Sequence, residues 1–200
     1  MSFKCYLDCD GVLADFIGGI CRKFGVSESE IYATTRPRPL PVDLTLLIGI
    51  PTQQIWQALD ADFWANLEVY PWAQRLVREI DSMFNGNVVL CTSPGYLSLE
   101  NGAAAALIGK EQWIMKNFPQ FQKRYVFTYD KQYIASPWHV LIDDQDQNCR
   151  KFIDAGGFGI VFPQRWNNRY QHLERNTEGD SVLSVVLSDA EFFSSSIITS

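Results

Sequence analysis

The chain alternates short, unbroken apolar runs with stretches in which apolar residues return every three or four positions. Phe3-Lys4-Cys5-Tyr6-Leu7 reads as a strand. After Gly11, the residues Phe16, Ile17, Ile20, Cys21 and Phe24 recur at helical spacing, with Gly25 as a stop. The rhythm resumes at Pro71. Leu76, Val77, Ile80, Met83 and Phe84 give a helix face that ends at Asn85-Gly86-Asn87, and Val88–Cys91 is a short continuous apolar run of the kind found in buried parallel strands. A helix over Lys110–Phe118 turns Trp113 and Ile114 inward, and strands are predicted at Tyr125–Thr128, Val140–Ile142 and Phe158–Phe162. Cys149, Phe152 and Ile153 mark one face of an intervening helix. Strands alternating with helices predict an α/β fold on a parallel sheet.

Two regions break this pattern. Residues 26–70 contain a potential capping box at Ser27–Glu30, a proline-rich Arg36–Pro41 stretch that suits neither a helix interior nor a central strand, and a short helix capped by Thr52 that runs through Asp60. They read as a small helical insertion over the end of the sheet. Residues 96–109 read as a loop. The segment 167–200 carries two apolar runs, Val182–Leu187 and Ile197–Ile198, and receives no placement.

Two hundred residues suffice for a sizeable core, and the composition is that of a globular protein. A net charge of −6 argues against a binder of nucleic-acid polymers but leaves room for a mononucleotide. There is no apolar run long enough to span a membrane and no N-terminal signal segment. Five cysteines without a CxxC pair suit a reducing cytoplasm. Cys9, lying between two aspartates, points to the other side of the strand and is read as packing.

The predicted strands end in chemically reactive groups: Asp8 and Asp10, then Thr92 and Ser93, then Lys131, then Asp143 and Asp144. In a parallel sheet these ends share one edge, the edge where ligands bind in open α/β folds. Paired carboxylates repel each other unless a cation or proton compensates. Hydroxyls and a lysine bind phosphate oxygens. The set therefore points to a hard divalent cation beside a phosphate, with Asp8 available as a nucleophile. Taken singly each feature has a plainer reading, such as an Asp-Gly turn at 10–11, a helix cap at 143–144 or a solvated Lys131.

Asp8-x-Asp10-Gly11-Val12-Leu13-Ala14-Asp15-Phe16, Cys91-Thr92-Ser93-Pro94, Thr128-x-Asp130-Lys131 and Leu141-Ile142-Asp143-Asp144 resemble the four motifs of the haloacid dehalogenase superfamily, and most closely those of its 5'(3')-deoxyribonucleotidase family. The resemblance implies a parallel, Rossmann-like haloacid dehalogenase sandwich core over 1–25 and 71–166, a small helical cap inserted after the first strand over 26–70, and a C-terminal segment over 167–200. It implies a Mg²⁺-dependent phosphatase of (deoxy)nucleoside monophosphates. Asp8 would be the nucleophile and Asp10 the acid and base. Mg²⁺ would be held by Asp8, the main-chain carbonyl of Asp10 and Asp143, with Asp144 a further ligand or orienting group. Thr92, Ser93, Lys131 and Lys110 (the last in Gly109-Lys110-Glu111-Gln112-Trp113) would bind phosphate, and Phe16 and Trp56 the base. A homodimer is also raised by the resemblance. The rival readings are a phosphatase of another small metabolite, such as a sugar phosphate, and a non-catalytic phosphate-binding module. Arg36–Pro41 and the Pro94–Gly109 stretch depart from the family pattern.

Overall fold

The computed structural model describes residues 3–29, 49–95, 102–174 and 181–198. Arg36–Pro41 and most of the Ser27–Glu30 to Ile48 stretch lie outside them. A five-stranded sheet carries β1 (Lys4–Leu7), β2 (Val88–Thr92), β3 (Tyr125–Phe127), β4 (His139–Asp143) and β5 (Phe158–Val161) in the order β3-β2-β1-β4-β5. Every pairing is parallel. β1 lies at the centre, with Leu7 opposite Leu90 on one side and Ile142 on the other. Cys5, Tyr6 and Leu7 are all buried, as expected of a strand covered on both faces.

Alternate side chains of β1 feed two cores. Cys5 and Leu7 join the larger one with Val88, Leu90, Val140 and Ile142; Tyr6 joins Cys91, Leu141 and Phe152 on the opposite face. Each Leu, Ile or Phe fully buried there contributes about 1.5–3 kcal/mol. The helices are α1 (Phe16–Phe24), α2 (Thr52–Ala58), α3 (Ala61–Ala65), α4 (Ala73–Met83), α5 (Gly102–Asn117), α6 (Asp146–Asp154), α7 (Asn168–Glu174) and α8 (Ser181–Ile198). Asp15 caps α1 by accepting from Gly18 N at 3.0 Å, and Gly25 closes it with a left-handed φ of 66°.

Several expectations are corrected. Residues 102–109 are not a loop: the Ala103–Ala106 run has the highest helix propensity available and starts α5 eight residues before Lys110. Gly109 is required there, because a Cβ would lie 2.3 Å from the carbonyl oxygen of Ala61 in α3. Thr52 is the first helical residue and not the cap; Pro51 holds that position, where no side chain bonds the helix. The helix stops at Ala58, and Asp60 caps α3 through Phe63 N at 2.8 Å. Ile153 is 51% exposed, because Cys149 and Phe152 alone of the trio are buried on α6. In the unplaced C-terminal segment, Leu183, Val186, Ala190 and Phe193 recur along α8 and are buried against α4 and β5.

Candidate functional site

The turn after β1 sets the site. Cys9 O accepts from Leu13 N and Ala14 N, both at 2.8 Å, so the chain doubles back at once and enters α1. Gly11 makes the bend with φ +75°, and a Cβ there would fall 2.4 Å from Asp144 Oδ2. Only glycine satisfies both conditions. Tyr70 N donates to Leu13 O and Trp72 Nε1 to Val12 O, each at 2.9 Å, fixing the turn from outside.

Two lysines organise the groups at the strand ends. Lys131, 4% exposed, lies between Asp8 Oδ1 at 2.8 Å and Asp143 Oδ2 at 2.6 Å. Lys110 reaches in from α5 and is equally buried. Its ammonium donates to Asp10 Oδ2, to Thr92 Oγ1 at 3.1 Å and to Ser93 O at 2.7 Å. Asp10 thus places its carboxylate on Lys110 and Thr92. Ser93 presents its carbonyl to Lys110, while its hydroxyl accepts from Gly95 N at 3.4 Å.

Asp8, Asp143 and Asp144 each bring a carboxylate oxygen within 4.8 Å of the others, and all three are buried. Asp143 Oδ1 also accepts from Gln145 N at 2.9 Å, and Asn148 Nδ2 bonds Oδ2 at 3.0 Å. Asp144 Oδ2 accepts from Trp166 Nε1 at 2.7 Å, whereas Asp144 Oδ1 is buried with no partner. Two of these three buried carboxylates share one ammonium, and the third keeps an oxygen without a partner. That donor set fits a divalent cation with oxygen ligands.

The electrostatics say the same. Burial pushes the Asp8 carboxyl up; Lys131 pulls it down, and Asp143 and Asp10 push it up again, leaving it at about 7. Burial, Asp143 and Asp8 hold Asp144 well above the ordinary carboxylate range against the Trp166 hydrogen bond and Lys131. Burial lowers the Lys131 ammonium, but Asp143 and Asp8 outweigh it and keep the group well above the usual lysine value. Carboxyls raised in the folded state bind protons that the unfolded chain has released. Their contribution to stability is full below about pH 4 and is lost as pH rises through about 7. Metal-free protein should therefore show a melting temperature that declines over that interval. Millimolar Mg²⁺ should flatten the decline, because the cation takes over the protons' role; parallel curves with and without Mg²⁺ would contradict a cation at these carboxylates.

Beside Lys110 lies an aromatic group. Trp64 stacks on Phe16 at 5.3 Å between centroids and 8° between planes; Trp56 stacks on Phe16 at 6.0 Å and on Trp64 at 6.2 Å. The Lys110 ammonium sits 4.5 Å above the Trp64 ring. Phe16 and Trp56 are half-buried, whereas Trp64 is 2% exposed. Trp64, an aromatic residue of the 26–70 insertion that the sequence does not single out, thus joins Phe16 to Lys110.

Gln164, Trp166 and Asn167 were also missed. All are at least nine-tenths buried, in the turn after β5. Gln164 Nε2 donates to Gly11 O, and Asn167 Nδ2 donates to Asp144 O at 2.8 Å and Phe162 O at 2.7 Å. No feature of the local sequence announces them, since a polar run after a strand reads as surface.

No helix among the described residues is long and apolar enough to cross a membrane. Residues 3–191 match the model of the family described as 5' nucleotidase, deoxy (pyrimidine), cytosolic type C protein (NT5C). The human mitochondrial 5'(3')-deoxyribonucleotidase is 31% identical over 165 residues, covering 72% of this chain and 63% of that protein. The human cytosolic-type 5'(3')-deoxyribonucleotidase is 30% identical over 159 residues, covering 72% of each chain. The chain thus spans just under two thirds of the first relative's length. A solved haloacid dehalogenase-like protein from Agrobacterium tumefaciens shares the fold, with a TM-score of 0.50, 14% identity and coverage of 100% of this chain and 99% of that one. The match along nearly the whole chain and the two human relatives make this protein a member of the NT5C family of 5' nucleotidases.

Proposed function

We propose that this chain hydrolyses phosphomonoesters of nucleoside monophosphates, deoxyribonucleotides among them, through an aspartyl-phosphate on Asp8. The observation that carries this reading is the pairing of two aspartates with two buried lysines: the buried Asp8 with Lys131, and the partly exposed Asp10 with Lys110. A binding module needs only the positive charges. A two-step displacement needs one carboxylate to attack and another to move protons.

Asp8 attacks phosphorus, the bond to the nucleoside oxygen breaks, and that oxygen takes a proton from Asp10. Asp10, now ionised, removes a proton from water. The water oxygen attacks the phosphorus, the bond to Asp8 breaks, and inorganic phosphate leaves with Asp10 protonated again. Lys110, Thr92, Ser93 and Lys131 contact the phosphoryl oxygens and offset their charge in the transition state. Asp8, Asp143 and Asp144, with the main-chain carbonyl of Asp10, would hold Mg²⁺. The bound ion supplies positive charge that screens the phosphate from the attacking carboxylate.

The described helices of the 26–70 insertion act as a cap that brings Trp56 beside Phe16, where a base can stack. Stacking contributes about 1–3 kcal/mol per base. Trp56→Ala should therefore raise KM for a nucleoside monophosphate roughly 5- to 100-fold and leave p-nitrophenyl phosphate, which has no base, within about twofold. An equal loss on both substrates would remove Trp56 from base binding. The cytoplasm is the proposed compartment, since all five cysteines are buried as free thiols.

The deciding experiment measures phosphate release from deoxy- and ribonucleoside monophosphates and sugar phosphates, with Mg²⁺ and with chelator. Nucleotide turnover that chelator abolishes is expected. A sugar phosphate turned over far better than every nucleotide would overturn the substrate reading, and turnover unaffected by chelator would overturn the metal.

A further inference from the structure

The turn that follows β5 reaches both halves of the site through three buried side chains. Gln164 holds the Gly11 carbonyl, Asn167 holds the Asp144 carbonyl, and Trp166 holds one oxygen of the Asp144 carboxylate. Asn167 Oδ1 in turn accepts from Gln164 N and Tyr170 N, each at 3.2 Å, so the turn braces itself. Trp166 is 4% exposed, and its ring edge lies 3.1 Å from where a Cβ on Gly11 would stand. The indole therefore fills the space beside the nucleophile turn while its N–H points at the carboxylate.

The consequence lies in which oxygen is left over. A carboxylate in a cluster of like charges can rotate, take a proton or bond a neighbour, and each outcome withdraws it from a cation. Trp166 occupies Oδ2 at 2.7 Å, and Gly11 leaves no atom to displace it. Oδ1 remains buried and without a partner, on a carboxylate that brings one oxygen within 4.8 Å of an oxygen from each of Asp8 and Asp143. An indole N–H donates only and carries no charge, so it fixes the carboxylate without neutralising it. A lysine in that place would fix it and compete with the cation.

We infer that Trp166 is a positioning residue for the divalent cation: its indole N–H locks Asp144 Oδ2 so that Oδ1 is delivered to the ion. This rests on the proposed function insofar as the site takes a cation, and it assigns a role to a residue outside all four motifs. Groups that orient metal ligands typically change metal affinity about 10- to 100-fold when removed.

The test uses the full chain and the metal alone. Trp166→Phe keeps a ring in the space beside Gly11 and deletes the donor. Titrating Mn²⁺ into phosphate-free protein, with free ion read by electron paramagnetic resonance, should show the dissociation constant rising at least about tenfold in the variant. Its melting temperature without metal should stay within a few degrees of wild type. A second measurement needs no variant to fold. Among the six tryptophan indole N–H resonances of the wild type, identified in part by the one missing from Trp166→Phe or by through-space contacts to Gly11, that of Trp166 should shift on saturation with Mg²⁺. A variant that binds Mn²⁺ within twofold of wild type, or a Trp166 resonance that ignores Mg²⁺, overturns the inference and leaves the proposed function standing. A wild type that takes up neither ion overturns both.

Discussion

Asp8→Asn should leave a folded protein that releases phosphate at least about 10⁴ times more slowly than wild type. The amide has nearly the shape of the carboxylate and still accepts from Lys131, so the turn from Cys9 to Ala14 has no reason to move. What it lacks is the negative charge that makes the oxygen a nucleophile toward phosphorus. The same change removes a buried carboxyl that burial has raised to about 7. The decline in metal-free melting temperature between about pH 4 and 7 should therefore shrink in this variant. Steady-state phosphate release and a pair of melting curves decide both points. Residual activity above a few per cent, surviving a check for wild-type contamination, would rule out covalent catalysis at this position.

Lys131→Met is expected to have the larger structural effect. The ammonium is 4% exposed and is the counter-charge shared by Asp8 and Asp143. Removing one partner of a buried ion pair leaves uncompensated charge and costs about 3–5 kcal/mol. In metal-free protein that loss should appear as a fall in the urea midpoint, with the slope of the transition unchanged. Mg²⁺ should restore part of it, because a cation among the same carboxylates supplies the missing charge. Turnover should fall by at least about 10³-fold even with Mg²⁺ present, since no residue replaces the lysine on the phosphoryl oxygens. A midpoint that does not move would mean that water, and not Lys131, compensates Asp8 and Asp143.

The strand ends were legible because their signal is local. Val140-Leu141-Ile142 stops abruptly at Asp143, and a parallel strand buried on both faces must be apolar up to the edge where it meets a ligand. The start of α5 was not legible. Its alanine run lies between glycines at 102 and 109, and the packing of Gly109 against Ala61 became evident only once α3 was placed. α8 carries its core residues among serines, and its apolar face acquires meaning only against α4 and β5. Gln164 and Trp166 show the physical limit most clearly. Their partners Gly11 and Asp144 lie 153 and 22 positions away, and burial of polar groups is decided by those partners, not by neighbours along the chain.

The central place of β1 has a consequence for biosynthesis. This strand is made first, yet it pairs with β2 and β4, which begin at Val88 and His139. Translation at about 5–20 residues per second keeps it waiting several seconds for its earliest neighbour and roughly ten to thirty for Trp166. An emerging polypeptide thus carries Cys5, Tyr6 and Leu7 without a lattice to enter, which favours chaperone engagement at that stage. Asp8, Asp143 and Asp144 do not meet until β4 has been made, so a cation held by all three would load only after that point.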